Sequence, residues 1–224
     1  MAEKLIHIFK EFLGILFPQK CLGCGTKNVI LCDKCLNSLP FPEDRPWNLQ
    51  GRSSGLIFSA TSYQDEIVKK AIRLLKYHGI KILAEPFSDL IFKRIVMTLP
   101  EFMRDMNKTL IIPIPLSKKR HRERGFNQTE LIGRFLSDKM SIRMANNVLY
   151  KIKETISQVE IKDREKRLKN LEGAFEVKNA EIIKNKNIIL IDDITTTGAT
   201  LSEARRILKD AGAKKIIGLV VAKG

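Results

Sequence analysis

At 224 residues with 44% apolar content, the chain is long enough to bury a core and is too rich in apolar residues to be a disordered tail. Its 40 Lys and Arg against 25 Asp and Glu leave a net charge of +15 and an isoelectric point near 9.8, which favours anionic partners: phosphates, nucleic acid or a membrane surface. No stretch approaches the roughly 18 uninterrupted apolar residues of a transmembrane span.

The first segment, MAEKLIHIFKEFLGILFPQK, sets Leu5, Ile8, Phe9, Phe12, Leu13 and Leu16 on one helical face. His7, Lys10 and Glu11 interrupt the apolar run and no small-residue cleavage site follows. A docking helix is therefore expected here rather than a secretory leader, with peripheral membrane contact as the alternative use of the stripe, and a cytoplasmic location for the protein.

Next comes CLGCGTKNVILCDKC, a C-x2-C-x7-C-x2-C pattern. Each pair sets two thiolates on a tight turn that Gly23 and Gly25 permit, and Lys27 and Asn28 mark the tip of a short hairpin. Cys21, Cys24, Cys32 and Cys35 suit a tetrahedral Zn²⁺ closed on all sides, hence structural. An iron–sulfur cluster is the alternative use of four thiolates, and disulfides would need an oxidising compartment. The helix and knuckle are expected to occupy residues 1–40. LPFPEDRPWNLQGRSSG, rich in proline, serine and glycine, then reads as a linker over 41–55, leaving 56–224 as the main domain.

From Leu56 strands and helices alternate. GLIFSATSY reads as a strand. QDEIVKKAIRLLKY reads as a helix with Ile67, Ala71, Leu74 and Leu75 on its apolar face and Gly79 as its stop. Ala84 to Thr98 suits a second helix, TLIIPIP a buried strand, and Thr129 to Lys139 a third helix. KNIILID, ATLSEARRILKDAGA and KKIIGLVVA close the series as strand, helix and strand. This rhythm predicts an α/β fold with a mainly parallel sheet flanked by helices.

Ligands of such sheets bind beyond the carboxyl ends of the strands. There ILIDDITTTGAT ends a buried strand in Asp192 and Asp193, which alternation directs to opposite sides. Paired carboxylates beside a core repel one another unless something engages them, as ribose hydroxyls and Mg²⁺ would. Thr196, Thr197, Gly198, Ala199 and Thr200 then lead into a helix whose first amides and hydroxyls suit a phosphate. Upstream, KKRHRERGFNQ crowds Lys118, Lys119, Arg120, Arg122 and Arg124 into a charged turn or mobile loop. Its guanidinium forks match diphosphate oxygens or a nucleic-acid backbone, and Phe126 is placed to stack on a base. His7, His78 and His121 have neither metal spacing nor a nucleophile partner.

The acid–threonine stretch resembles the phosphoribosyl-pyrophosphate loop of type I phosphoribosyltransferases. The cysteine pattern, YQDEIVKKAIRLLKYHG, PIPLSKKRHRERGFNQ, TISQ followed by REKRLKNLEGAF, and LIDDITTTGATL together resemble, in the same order, the ComF family of competence proteins. Some members of that family carry arginine where this chain has Lys151. The resemblance implies a type I phosphoribosyltransferase fold behind an N-terminal zinc knuckle. It implies that phosphoribosyl pyrophosphate binds with Mg²⁺, and that pyrophosphate is displaced at C1 by an unnamed acceptor. Asp192 and Asp193 would hold the ribose hydroxyls, Thr196 to Thr200 the 5′-phosphate, and Ser117, Arg120 and Arg124 the pyrophosphate. Thr155, Gln158, Arg167 and Asn170 would belong to a small hood over the acceptor. The other function it implies is a ligand-sensing accessory of DNA uptake that engages single-stranded DNA and a competence helicase without turnover.

Overall fold

A computed structural model describes residues 20–42, 47–48, 56–99, 105–154 and 170–224. The expected N-terminal helix, and Thr155, Gln158 and Arg167 of the hood, lie outside the described residues. The chain divides into two compact units, Met1–Leu39 and Pro40–Gly224.

In the first unit, Lys20 and Lys27 form an antiparallel bridge, and the Cys21 amide donates to the Thr26 carbonyl at 2.8 Å. Gly25 takes the left-handed conformation that tightens the turn (φ 76°). The second cysteine pair opens a short helix, α1 (Asp33–Asn37), which buries Leu36 beside Leu31 and Leu39. Among the described residues of this unit the buried apolar side chains are few, and the four cysteines offer a cross-link that a metal would close.

The second unit is a five-stranded sheet in the order β1-β2-β7-β6-β3: β1 (Trp47–Asn48), β2 (Leu56–Ser62), β3 (Thr109–Pro113), β6 (Asn187–Thr195) and β7 (Lys215–Lys223). β1 lies within the stretch expected as a linker and pairs antiparallel with β2, whereas β2, β7, β6 and β3 are mutually parallel. Their apolar runs are buried on both faces, as a sheet covered by helices requires. α3 (Ala84–Thr98) packs on β2 and β7, and α5 (Gln128–Met140) on β3 and β6. Another core joins α6 (Ala199–Asp210) and a hairpin, β4 (Leu149–Lys151) with β5 (Phe175–Val177), to Ile57, Ile112, Ile188, Leu190 and Val220. α6 comes close at Gly218, where an added Cβ would sit 3.1 Å from Leu201 Cδ1 and 3.2 Å from Ile57 Cγ1.

Besides β1, three elements differ from expectation. α2 (Glu66–His78), capped by Asp65, buries Val68, Ala71, Ile72 and Leu75, a face slightly rotated from the expected one. β6 does not stop at the acids but pairs with β7 through Thr195, because β7 runs to Lys223 and supplies a partner throughout. The basic run is not a loop. Lys118–Arg124 forms helix α4, capped by the Ser117 hydroxyl, which accepts from the Arg120 amide, and closed by Gly125 in the left-handed conformation.

Candidate active site

A cleft of about 610 Å³ opens at the carboxyl ends of β2, β3 and β6. Its wall includes Tyr63 after β2, the Ile114-to-Ser117 stretch after β3, and Asp192, Asp193, Ile194 and Thr196 at the end of β6. The last turn of α2 adds Lys76 and Tyr77, α4 adds Arg120, Glu123 and Arg124, and Phe126, Gln128, Lys151 and Leu171 complete much of the lining. Four cationic side chains (Lys76, Arg120, Arg124, Lys151) thus meet three acids (Glu123, Asp192, Asp193), which favours an anionic ligand.

The two acids divide as alternation predicts, yet both reach the cleft, because it spans both faces of the sheet end. Asp193 is 3% exposed. Its Oδ1 accepts from Lys76 Nζ at 2.8 Å and its Oδ2 from Gln128 Nε2 at 2.7 Å. Asp192 is half-buried, and its Oδ1 accepts the Asp193 amide at 2.8 Å. Burial, and next the Asp193 charge, push the Asp192 carboxyl up to about 7, against the pull of Lys76 and Lys151. Lys151 in turn is held below the usual lysine value by burial first and then by Arg120, with Asp192 and Glu154 opposing.

Beyond the acids, Thr196 and Thr200 stand on the wall, while Thr197, Gly198 and Ala199 make the turn into α6. Gly198 is left-handed (φ 77°), its carbonyl accepts the Ser202 amide at 2.8 Å, and the Thr197 hydroxyl accepts from the Ala199 amide at 3.4 Å. Ser117 is buried, and the Lys119 amide next to it donates to Glu154 Oε1 at 3.1 Å. The Ser117 hydroxyl, then that amide, hold the Glu154 carboxyl below its usual range. A carboxylate therefore already sits where the sequence places pyrophosphate oxygens. Arg120 and Arg124 line the cleft, whereas Lys118, Lys119 and Arg122 are exposed. Phe126 is not open for stacking as expected: it is 9% exposed, with Lys81 Nζ 5.0 Å from its ring centre. Asn170, the one described residue of the expected hood, is half-buried.

Lys76, Tyr77 and Lys151 carry no signal of a site in the sequence. Gln128 belongs to the RGFNQ run, but its acid partner lies 65 residues away.

A family model for the phosphoribosyl transferase domain matches residues 116–224, from just before α4 to the end of β7. The chain is 31% identical over 218 residues to competence protein ComFC of Bacillus subtilis, covering 94% of this chain and 80% of that one. The chain belongs to the ComF family of competence proteins. Competence protein F of Haemophilus influenzae is 36% identical over 108 residues, 47% of this chain and 46% of that protein, so the match spans about half of each. DNA utilization protein YhgH of Escherichia coli O6:H1 is 25% identical over 206 residues, covering 88% of this chain and 80% of that one. This ComF-family chain therefore combines a phosphoribosyltransferase-type domain with an N-terminal cysteine cluster.

The Sγ atoms of Cys21, Cys24, Cys32 and Cys35 lie within 4.8 Å of one another, and none is in a disulfide. Cys32 Sγ is 3.6 Å from Cys21 Sγ and 3.5 Å from Cys24 Sγ, close to the roughly 3.8 Å edge of a tetrahedron with ~2.3 Å zinc–sulfur bonds. Burial raises the Cys21 thiol, but amides of Cys24, Cys32 and Gly23 outweigh it and bring it down to about 6, favouring the thiolate that a metal needs. The four residues fit Zn²⁺. Mg²⁺ suits the other site: it takes one or two carboxylates and completes its shell with ligand phosphates and water, and Asp192 offers such a carboxylate. Among the described residues, no helix is long and apolar enough to cross a membrane.

Proposed function

We propose that the cleft binds phosphoribosyl pyrophosphate with Mg²⁺ and transfers the phosphoribosyl group to an acceptor that the site leaves unnamed. The observation that carries this reading is the pair of acids and the threonine–glycine turn at the end of β6, opening on a cleft with an excess of cations. Residues Thr196 to Thr200 take the 5′-phosphate, Asp192 and Asp193 serve the ribose side, and Ser117, Arg120 and Arg124 take the pyrophosphate. Bound Mg²⁺ neutralises leaving-group charge. The chain's own contribution is to orient C1 and to hold fixed positive charge where the departing oxygens gather electrons. The C1–O bond breaks with its electron pair going to pyrophosphate, and a lone pair of the acceptor forms the new bond to C1.

The names of the relatives support a role in natural transformation. A second reading is supported by the exposed Lys118, Lys119 and Arg122: a non-catalytic sensor that engages single-stranded DNA beside a competence helicase. Incubation with phosphoribosyl pyrophosphate, Mg²⁺ and candidate acceptors separates the two. Pyrophosphate release that depends on one acceptor is expected for transfer, and tight binding without release favours the sensor. Calorimetry on an Asp192→Ala, Asp193→Ala double variant tests the site itself, and unchanged affinity there would exclude it.

A further inference from the structure

Asp193 is buried and both of its carboxylate oxygens are taken, by Lys76 at 2.8 Å and Gln128 at 2.7 Å. Gln128 is itself 3% exposed, and its Oε1 accepts from Arg124 Nη1 at 2.9 Å. The orientation of this amide is forced. A carboxylate only accepts and a guanidinium only donates, so the NH2 must face Asp193 and the oxygen Arg124. The other hold on Arg124 comes from Tyr77, whose ring centre lies 5.3 Å from the guanidinium carbon and which follows Lys76 on α2. The contacts therefore close a ring: α2 to β6 through Lys76, β6 to α5 through Gln128, α5 to α4 through Arg124, and α4 back to α2 through Tyr77.

We infer that Lys76 and Gln128 are positioning residues that use Asp193 as a fixed anchor to hold Arg124 in the cleft, leaving Asp192 as the carboxylate that meets the ligand. This rests on the reading of the cleft as a diphosphate site and moves Asp193 from ligand contact to scaffold. A solvated arginine loses rotamer freedom on clamping an anion, whereas one already seated against an amide oxygen and a ring has lost it beforehand. The linking residue also has to be neutral. A carboxylate at position 128 would cancel the Arg124 charge and repel Asp193 next to it, whereas an amide fixes the guanidinium and leaves it charged.

A double-mutant cycle on the full-length, zinc-loaded chain tests this, read by calorimetric binding of inorganic pyrophosphate. Gln128→Ala and Arg124→Ala are each expected to weaken binding on the order of tenfold, the loss of one charge-assisted hydrogen bond. If Gln128 acts through Arg124, the double variant binds no worse than Arg124→Ala alone, to within about twofold. A multiplied loss on the order of a hundredfold, or full affinity in Gln128→Ala, overturns the inference. If Gln128→Ala does not fold, a second pair reads the same network: Lys76→Met is expected to lose the affinity and Lys76→Arg, which keeps the charge, to restore it. Equal loss in both Lys76 variants would mean a packing role and overturn the inference. Wild-type protein that binds neither pyrophosphate nor phosphoribosyl pyrophosphate would sink the site reading as a whole.

Discussion

Replacing Asp192 by asparagine should remove most of the pH dependence of phosphoribosyl-pyrophosphate binding. In the ligand-free protein its carboxyl titrates at about 7, raised from 3.8 by burial and by the charge of Asp193. Lys76, Lys151, Arg120 and Arg124 face the same space as cations, and Glu123 as a further acid. Ribose hydroxyls and Mg²⁺ both prefer the ionised carboxylate, so affinity scales with its ionised fraction, about one in eleven at pH 6 and about ten in eleven at pH 8. Binding should therefore tighten by about tenfold between those pH values, with nearly one proton released per ligand at the lower one. The diphosphate's own proton, with a pKa near ~6, adds a slope to both proteins, so the quantity to read is the difference between the wild-type and Asp192→Asn profiles. Calorimetry in two buffers of different ionisation heat gives affinity and proton release together. Stability must move in the opposite sense. The folded state holds this proton more tightly than the unfolded chain, so Asp192 contributes stability at acid pH that is lost as pH rises through about 7. Parallel binding profiles for wild type and Asp192→Asn would refute the reasoning.

Elemental analysis should find one zinc per chain, and chelation should unfold the knuckle while the melting of the main domain stays in place; iron, or no metal, would overturn the assignment. Gly198→Ala puts a side chain on a left-handed residue (φ 77°), at a cost of about 1 kcal/mol or more, so melting should fall and phosphoribosyl-pyrophosphate binding weaken; unchanged melting would contradict the loop geometry. Single-stranded DNA should bind with little sequence preference and lose roughly 0.7 log units of affinity per log unit of salt for each phosphate contacted. Alanine at Lys118, Lys119 and Arg122 should lower both the affinity and that slope, and a flat salt response would leave these charges as mere solvated surface.

The parts of the fold legible in the sequence are those where local chemistry and tertiary packing agree. α3 begins and ends at the expected residues, Ala84 and Thr98, because an apolar helix meets Pro100 there. For α2 the extent was readable and the buried face less so. Ile67 and Val68, then Leu74 and Leu75, are adjacent apolar pairs, and only the sheet decides which member turns inward. Periodicity was silent over KKRHRER, which has no apolar residue; its helix rests on the caps at both ends. The acids and the threonine turn were legible because they are contiguous. The ring that organises them was not: Lys76 is one lysine among several on α2, and the pairing of Gln128 with Asp193 across 65 residues leaves no local trace.

The folding of the basic run into a helix also bears on how one segment could serve the two proposed anions. Ser117, Arg120 and Arg124 recur at helical spacing and turn toward the acids, while Lys118, Lys119 and Arg122 fall on the other side and face water. In a loop all five cations would answer to whichever anion came first, and a diphosphate and a nucleic-acid backbone would compete for them. In the helix Arg124 is committed to Gln128 and Tyr77, and the N-terminal turn is closed by Glu154. The outer cations face water, where a strand could track along them while a phosphoribosyl ligand stays seated inside.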